Sequence, residues 1–180
     1  FSGVPRIYEK VYSRIQTIVS DATPVGQWAY KQAIDNGLAC VEARQQGRSL
    51  SLDMQVKSWF WDWAVLSNLR RMLGFDRIRA AVTGAAPISP NLINWFNAIG
   101  VPLYEGFGMS ETTATAIANY PGQVKVGTVG KLFKGSDIRI ADDGEILVRG
   151  ELVMHGYWRN EAETARTVVD GWLHTGDIGE

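Results

Sequence analysis

The spacing of hydrophobic residues changes near Asp76, and this change limits what the chain can fold into. Before this point, apolar side chains recur at helical spacing, whereas "RIRAAVTG" (77–84) is a short β-like run. A helical segment follows, with Ser89 as N-cap and Pro90 at its first position, and "VPLYEGFG" (101–108) is a second extended run. Strand, helix and strand in this order predict a βαβ unit with parallel strands and a right-handed crossover.

Two loops rich in small residues leave the carboxyl ends of these predicted strands. They are "GAAPIS" (84–89) and "GFGMSE" (106–111). In open α/β sheets, ligands bind in the crevice outside the carboxyl ends of the strands. The sequence therefore predicts a ligand site at these loops.

The rest of the chain divides into three predicted parts, a helical insertion (1–74), the βαβ part (75–120) and a β-rich segment (121–180). The first part contains three helical patterns. In the last part, "SDIRIADDGEILVRG" (136–150) alternates apolar and polar residues about an Asp-Asp-Gly turn, which predicts a β-hairpin. Asn160 is the predicted cap of a short helix.

Composition and charge narrow the functional classes. Of the 180 residues, 46% are hydrophobic and 21% are charged, and no run approaches the length of a membrane span. Residues 1–80 carry 11 Lys/Arg and 7 Asp/Glu (+4), and residues 81–180 carry 7 and 12 (−5), which matches the net charge of −1. Without a concentrated basic stripe, no nucleic-acid partner is expected. A single cysteine, Cys40, favours a reducing, cytoplasmic location.

The stretch around Ser110 has two chemical interpretations. Gly108-Met109-Ser110-Glu111-Thr112 is similar to the G-x-S-x-G nucleophile elbow of serine hydrolases, but Thr112 replaces the second glycine. Only His155 or His174 could serve as the base of such a hydrolase. This alternative therefore has the weaker support.

The other interpretation makes the same loop a nucleotide-binding segment. Gly106 and Gly108 would let the backbone approach a flat ligand, and Phe107 could stack on a base. Ser110 could donate a hydrogen bond to a phosphate, and Glu111 offers the hard oxygen that Mg²⁺ takes when it also binds substrate phosphates. Alone, the loop could equally be a turn with an exposed carboxylate.

A third segment favours the nucleotide interpretation. In "DGWLHTGD" (170–177), Asp177 is expected just after a strand end, where a carboxylate could accept both hydroxyls of a ribose. Together, "GAAP", "GFGMSE" and "GWLHTGD" resemble the acyl-adenylate-forming (AMP-binding) enzymes, in particular the bacterial long-chain fatty-acid–CoA ligases. The resemblance runs closely from about Ile78 to Glu180, and "VPRIYEKVYSRI" (4–15) resembles the helical insertion of the long-chain branch.

The resemblance implies a role for each candidate residue. Ser110 stands where the family usually has a phosphate-binding threonine, Glu111 would be the Mg²⁺ ligand, and Asp177 would hold the ribose hydroxyls of ATP or AMP. The adenine site would be lined by Gly84, Ala85, Ala86 and Pro87, and the loop along the adenine and the acyl tunnel would be formed by Tyr104, Glu105, Gly106, Phe107 and Gly108.

The family reaction joins a fatty acid to CoA through an acyl-adenylate, and consumes ATP. The resemblance predicts the large N-terminal domain of such an enzyme: a helical insertion, a βαβ part of a mixed or parallel sheet, and a β-rich, distorted-barrel segment. The family's phosphate loop and C-terminal catalytic lysine have no counterpart in the sequence, so we expect an inactive fragment of a longer ligase. Transfer to a carrier protein instead of CoA, and a purely binding or scaffold role, are the alternatives.

An aromatic cluster in "WFWDW" (59–63) also has two interpretations. Trp59, Trp63 and Leu66 would share one helical face, and the preferred interpretation is that this face packs into the core. With Lys57, Arg70 and Arg71 beside it, the same face could instead contact a membrane with anionic headgroups.

Overall fold

The structure, a computed structural model, describes residues 1–180, which fall into two units. Unit 1 comprises residues 1–105 and 124–128, and unit 2 comprises residues 106–123 and 129–180. The three-part division expected from the sequence stays a prediction.

Helices form most of unit 1. They are α1 (Pro5–Ser20), α2 (Pro24–Gln45), α3 (Leu52–Trp61), a π-helical turn (Asp62–Leu66) and α4 (Ser67–Leu73). The Thr23 hydroxyl accepts a hydrogen bond from the Gly26 amide at 3.2 Å, and Ser51 caps α3 in the same way. Gly74, with φ of 72°, ends α4 in the left-handed conformation that glycine adopts without strain.

A parallel sheet lies beside these helices in unit 1. Strand β2 (Ala81–Thr83) leads to α5 (Pro90–Ala98) and then to β3 (Leu103–Phe107), and β2 and β3 pair in parallel. The predicted βαβ unit is thus confirmed. Strand β1 (Ser2–Gly3), which the sequence did not predict, also pairs in parallel with β2.

The core of unit 1 packs around α5. Leu92, Phe96 and Ile99 are buried, as the spacing of apolar residues predicted. The ring of Tyr8 meets Phe96 edge-on, with 5.3 Å between centroids, and the Tyr8 hydroxyl donates to the Val82 carbonyl at 2.9 Å. Tyr8 therefore connects α1 to both α5 and β2.

The aromatic cluster does not enter this core. Trp59 and Trp63 are 71% and 67% exposed, whereas Leu66 is buried. The π-helical turn explains the difference, because its i→i+5 hydrogen bonding inserts an extra residue and breaks the expected helical face. The prediction that these rings pack into the core is wrong.

Arg70 is also not free for a lipid headgroup. Its guanidinium donates to both carboxylate oxygens of Asp62, at 2.6 and 3.0 Å, and to the Ile99 carbonyl at 2.8 Å. The π-helical turn places Asp62 in reach, so this contact joins α4 to the end of α5. Arg70 therefore has a structural role in unit 1.

Unit 2 contains two groups of strands. The end of β3 pairs antiparallel with β4 (Ile117–Ala118), which pairs with β5 (Lys131–Leu132). An open four-stranded sheet follows in the order β6-β7-β9-β8, with all strands antiparallel. These strands are β6 (Ser136–Ile140), β7 (Glu145–Gly150), β8 (Val168–Val169) and β9 (Trp172–Ile178).

The sequence predicted the hairpin of this sheet and the short helix that follows it, but not strands β4, β5 and β8. The hairpin of β6 and β7 has Ile138 opposite Val148, and Asn160 caps α6 (Glu161–Thr167) through a hydrogen bond from the Glu163 amide. The strands do not close into the distorted barrel that the resemblance implied, but the α/β class with a mixed sheet and a second sheet is as predicted. None of the helices is both long and apolar enough to span a membrane.

Replacing Gly37 by alanine should destabilise unit 1. A Cβ atom at Gly37 would lie 2.5 Å from the Ala98 carbonyl oxygen at the end of α5. Such overpacking costs about 1–3 kcal/mol. Gly26→Ala is the matched control on α2, because its Cβ would meet other atoms only at 3.4 Å. Since both variants gain helix propensity, their free energies of unfolding in urea should differ by about 1–3 kcal/mol. Equal stabilities would contradict the close contact of α2 and α5.

Candidate functional site

The first predicted loop, after β2 in unit 1, is exposed and strained. Ala85, Ala86 and Pro87 are exposed, and Ala85 has φ of 65°, in the left-handed region that favours glycine. Residues held in that region cost of order 1–3 kcal/mol and cluster at ligand sites. The loop expected to contact adenine thus has accessible backbone and side chains.

Glu105 fixes the end of this loop. Its carboxylate accepts a hydrogen bond from the Ile88 backbone amide. Burial raises the pKa of the Glu105 carboxyl, and the Ile88 hydrogen bond opposes that shift in part. The observed contact of Glu105 is therefore with the chain itself. That Glu105 also lies in the loop along the adenine and the acyl tunnel stays a prediction.

Thr83 and Tyr104 lie on the two neighbouring strands β2 and β3 in unit 1. The Thr83 hydroxyl is buried without a hydrogen-bond partner. Thr83 on β2 lies opposite Glu105 on β3 in the parallel pair. Tyr104 is half-buried, and burial raises the pKa of its phenol. Neither the orphaned hydroxyl nor the Ile88 contact could be read from the spacing of residues.

The two glycines of the second loop are close to the chain's own backbone in unit 2. A Cβ atom at Gly108 would lie 2.1 Å from the Ala114 carbonyl oxygen, and one at Gly106 would lie 3.1 Å from that of Ile117. Glycine is therefore required at Gly108 whether or not a ligand is present. The predicted approach of a flat ligand is not needed to explain this glycine.

Thr112 determines the shape of the turn that carries Ser110 and Glu111. Residues Ser110–Thr112 form a single 3₁₀ turn, and Thr112 is fully buried. Its hydroxyl accepts a hydrogen bond from the Met109 amide at 3.0 Å and donates one to the Met109 carbonyl at 3.1 Å. The threonine that departs from the hydrolase pattern is thus the residue that closes the turn.

The structure does not pair Ser110 with a base. Ser110 is exposed at the start of the turn, and no hydrogen bond joins it to either histidine. His174 is engaged elsewhere, because its Nδ1 lies 2.7 Å from a carboxylate oxygen of Glu145. A serine hydrolase requires an activated nucleophile, so the geometry does not favour that alternative.

Glu111 is held by two contacts within unit 2. The Tyr157 hydroxyl donates to Glu111 Oε1 at 2.8 Å, and the Met154 amide donates to the Glu111 backbone carbonyl at 2.8 Å. Tyr157 is itself fixed, since its amide donates to the Thr164 hydroxyl on α6 at 2.9 Å. The hydrogen bond to Glu111 raises the pKa of the Tyr157 phenol, and desolvation acts in the same direction. Sequence reasoning missed Tyr157, which lies 46 residues away from its partner.

The surroundings of Glu111 fit a magnesium ion that is shared with substrate. The hydrogen bond from Tyr157 engages Oε1 only, so Oε2 remains for a hard cation. Residues 1–180 contain no group of three His, Cys, Asp or Glu side chains that could form a complete metal site. Mg²⁺ is typically bound by one or two carboxylates with waters and substrate phosphates, which this arrangement allows.

Asp177 lies within strand β9 and not after its end, which corrects the sequence prediction. Its side chain is exposed, and its amide donates to the Thr175 hydroxyl at 3.2 Å. No direct hydrogen bond joins Asp177 to the turn of Ser110 and Glu111. The structure therefore links the candidate residues in small groups, Glu105 with the first loop and Glu111 with Tyr157.

The model of the family described as AMP-binding enzyme matches residues 1–158. The chain belongs to this family. It is 40% identical to the long-chain-fatty-acid–CoA ligase FadD15 of Mycobacterium bovis, over 98% of this chain and 29% of the relative. It is 31% identical to the peroxisomal long-chain acyl-CoA synthetase 7 of Arabidopsis thaliana, over 99% of this chain and 26% of the relative. The chain thus spans less than a third of the length of these relatives.

Solved structures of AMP-binding enzymes share the fold. The O-succinylbenzoate CoA synthetase of Bacillus subtilis, in complex with ATP and magnesium ion, is similar with a TM-score of 0.51 and 31% identity, over 57% of this chain and 24% of that one. The N-terminal domain of FACL13 from Mycobacterium tuberculosis is similar with a TM-score of 0.53 and 25% identity, over 65% of this chain and 34% of that one. The α/β fold is therefore that of the N-terminal part of AMP-binding enzymes.

Removing the Thr112 hydroxyl should destabilise unit 2. Thr112→Val has nearly the same shape but leaves the Met109 amide without this partner, which should cost about 1–3 kcal/mol. The Met109 carbonyl keeps the hydrogen bonds from the Thr112 and Ala114 amides. Thr112→Ser keeps the hydroxyl and is the matched control. Urea unfolding followed by circular dichroism measures both free energies. If the valine variant were as stable as the serine variant, the turn would not depend on this hydroxyl.

Proposed function

We propose that the full-length protein is an ATP- and Mg²⁺-dependent long-chain fatty-acid–CoA ligase, and that this chain supplies part of its adenylate-binding residues. The observation that carries the proposal is the fixed Ser110–Glu111 turn, in a chain that matches a long-chain-fatty-acid–CoA ligase at 40% identity over 98% of its length. The names of the relatives favour CoA over a carrier protein as the acyl acceptor.

The proposed reaction has two steps. A fatty-acid carboxylate oxygen bonds to the α-phosphorus of ATP while the bond to pyrophosphate breaks. The sulfur of the CoA thiol then bonds to the carbonyl carbon of the acyl-adenylate, and the bond from that carbon to the phosphate oxygen breaks. The thiol loses its proton, and AMP leaves. Neither step needs an enzyme nucleophile, so the residues mainly position the reactants and stabilise the charge that develops. This agrees with the absence of a hydrogen-bonded base beside Ser110.

The geometry of unit 2 supports the roles that we propose for its residues. The exposed Ser110 hydroxyl can donate to a phosphate oxygen, and Glu111 can hold Mg²⁺ through Oε2 while Tyr157 holds Oε1. When bound, the cation would neutralise charge on the phosphates. We assign Phe107 to stacking on the adenine and Asp177 to the ribose hydroxyls. The exposed carboxylate of Asp177 supports its role.

The roles proposed for unit 1 concern the nucleotide base and the acyl chain. The exposed, strained loop offers Gly84, Ala85, Ala86 and Pro87 to the adenine. In unit 1, we also assign Tyr104 and Glu105 to the loop along the adenine and the acyl tunnel. Gly106 and Gly108, which belong to unit 2, are assigned to the same loop. The hydrogen bond from the Ile88 amide to Glu105 would keep the adenine loop in place.

Glu111→Gln should reduce carboxylate-dependent exchange of pyrophosphate into ATP by about 100-fold or more in the full-length protein. The amide has the shape of the carboxylate but lacks the charge that Mg²⁺ requires, and single groups that stabilise charge contribute of this order. Glu9→Gln on α1 is the control, because it removes an exposed carboxylate in unit 1. Near-normal exchange by the Glu111 variant would contradict the Mg²⁺ role.

We further propose that α3 contacts a lipid surface. Its exposed apolar side chains, continued into the π-helical turn, form one stripe at helical spacing: Leu52, Val56, Trp59, Phe60 and Trp63. An exposed stripe that includes two tryptophans is typical of helices that lie in the membrane interface. Arg70 is held by Asp62, and Lys57 lies 2.9 Å from Asp53. The proposed binding to lipid therefore depends mainly on the apolar side chains and less on the basic residues.

The double variant Trp59→Ala/Trp63→Ala should bind lipid at least about tenfold more weakly, because each ring contributes on the order of 1.5–3 kcal/mol when buried. Flotation of the full-length protein with phosphatidylcholine vesicles containing phosphatidylglycerol measures the bound fraction. Trp158→Ala is the matched control, because Trp158 is 86% exposed in unit 2, outside the stripe. Failure of the unmutated protein to bind, or an equal loss in the control, would refute the membrane role.

A further inference from the structure

Strand β9 leaves regular pairing with β7 just before its end. Leu147 pairs with His174 and Glu145 pairs with Ile178, so one residue on β7, Ile146, faces three residues on β9. These three residues, Thr175, Gly176 and Asp177, form a bulge. A bulge leaves backbone groups outside the ladder and redirects the side chains that it carries.

Side chains replace the missing ladder hydrogen bonds. Glu145 Oε1 accepts from the Gly176 amide at 2.8 Å, and Oε2 of the same carboxylate lies 2.7 Å from Nδ1 of His174. The side chain of Glu145 is only 17% exposed, so water screens these contacts poorly. One carboxylate on β7 thus holds two residues of β9.

Thr175 holds the bulge from within. It is buried, and its hydroxyl donates to the Ile146 carbonyl at 2.7 Å and accepts from the Asp177 amide at 3.2 Å. Gly176 between them has φ of 73°, a left-handed conformation that glycine adopts without strain. Side chains therefore hydrogen-bond the backbone amides of both Gly176 and Asp177.

The bulge gives Asp177 a fixed backbone and an exposed carboxylate. We propose that Thr175 and Glu145 are positioning residues for Asp177. They hold the bulge so that the Asp177 carboxylate can accept hydrogen bonds from both hydroxyls of a nucleotide ribose. This inference rests on the proposed function, because it takes the ribose as the ligand of Asp177. A carboxylate that is already oriented loses less conformational freedom when it binds.

The ribose hydroxyls provide a specific test in the full-length protein. Calorimetry gives the dissociation constants of AMP and of 2′,3′-dideoxy-AMP, which lacks both hydroxyls. The unmutated protein should bind AMP about tenfold or more tightly, because hydrogen bonds to a charged group are among the stronger ones. Asp177→Asn should remove most of this preference.

Thr175→Val should also bring the two dissociation constants to within about threefold of each other, and leave the affinity for dideoxy-AMP nearly unchanged. Thr175→Ser, which keeps the hydroxyl, should retain the preference. Glu145→Ala should lose it, and Glu145→Gln, which still offers an oxygen to the Gly176 amide, should retain most of it. If Thr175 and Glu145 had a purely structural role, their replacement would weaken the binding of both nucleotides equally. The ratio of the two dissociation constants would then be unchanged.

The outcomes separate the inference from the function beneath it. If the unmutated protein does not prefer AMP, both the ribose role of Asp177 and the inference are wrong. If Asp177→Asn loses the preference while Thr175→Val and Glu145→Ala keep it, only the inference is overturned. If the valine variant does not fold, the comparison of Glu145→Ala with Glu145→Gln still decides, since equal ratios in that pair would refute the positioning role of Glu145.

Discussion

Buried backbone amides and carbonyls must be hydrogen-bonded even where the chain leaves regular secondary structure, and the loops of this protein depend on that constraint. Polar side chains meet it at several irregular points. Thr112 bonds both backbone groups of Met109, Glu105 accepts from the Ile88 amide, and Arg70 donates to the carbonyl at the end of α5. A side chain that serves the backbone in this way also fixes the direction of its neighbours. Thr112, for example, fixes the turn that carries its neighbour Glu111, the expected ligand of Mg²⁺.

Local patterns predicted the elements, and contacts between distant residues escaped them. The βαβ unit and the hairpin of β6 and β7 follow from hydrophobic spacing and turn residues, which are properties of short segments. The hydrogen bond of Tyr157 with Glu111 joins residues 46 positions apart, and that of His174 with Glu145 joins residues 29 positions apart. No period in the sequence encodes such a pair, because it depends on how the segments pack.

Where the sequence reasoning about the site was incomplete, tertiary packing supplied the missing cause. Gly108 looked like an opening for a ligand, but the Ala114 carbonyl already requires a glycine there. Asp177 looked like a residue after a strand, but it lies in a bulge of the strand itself. The family membership of the chain accounts for the order of its motifs. The geometry adds which neighbours hold Glu111 and Asp177 in place.

The π-helical turn at Asp62–Leu66 makes one continuous helical stretch behave as two amphipathic helices that are out of phase. Each residue of an α-helix advances the side-chain direction by about 100°, so one inserted residue rotates everything after it by that angle. No side chain of α3 is fully buried, whereas Leu66 at the end of the turn and Leu69 on α4 belong to the core. One inserted residue thus lets a continuous helical stretch expose tryptophans at one end and pack leucines into the core at the other.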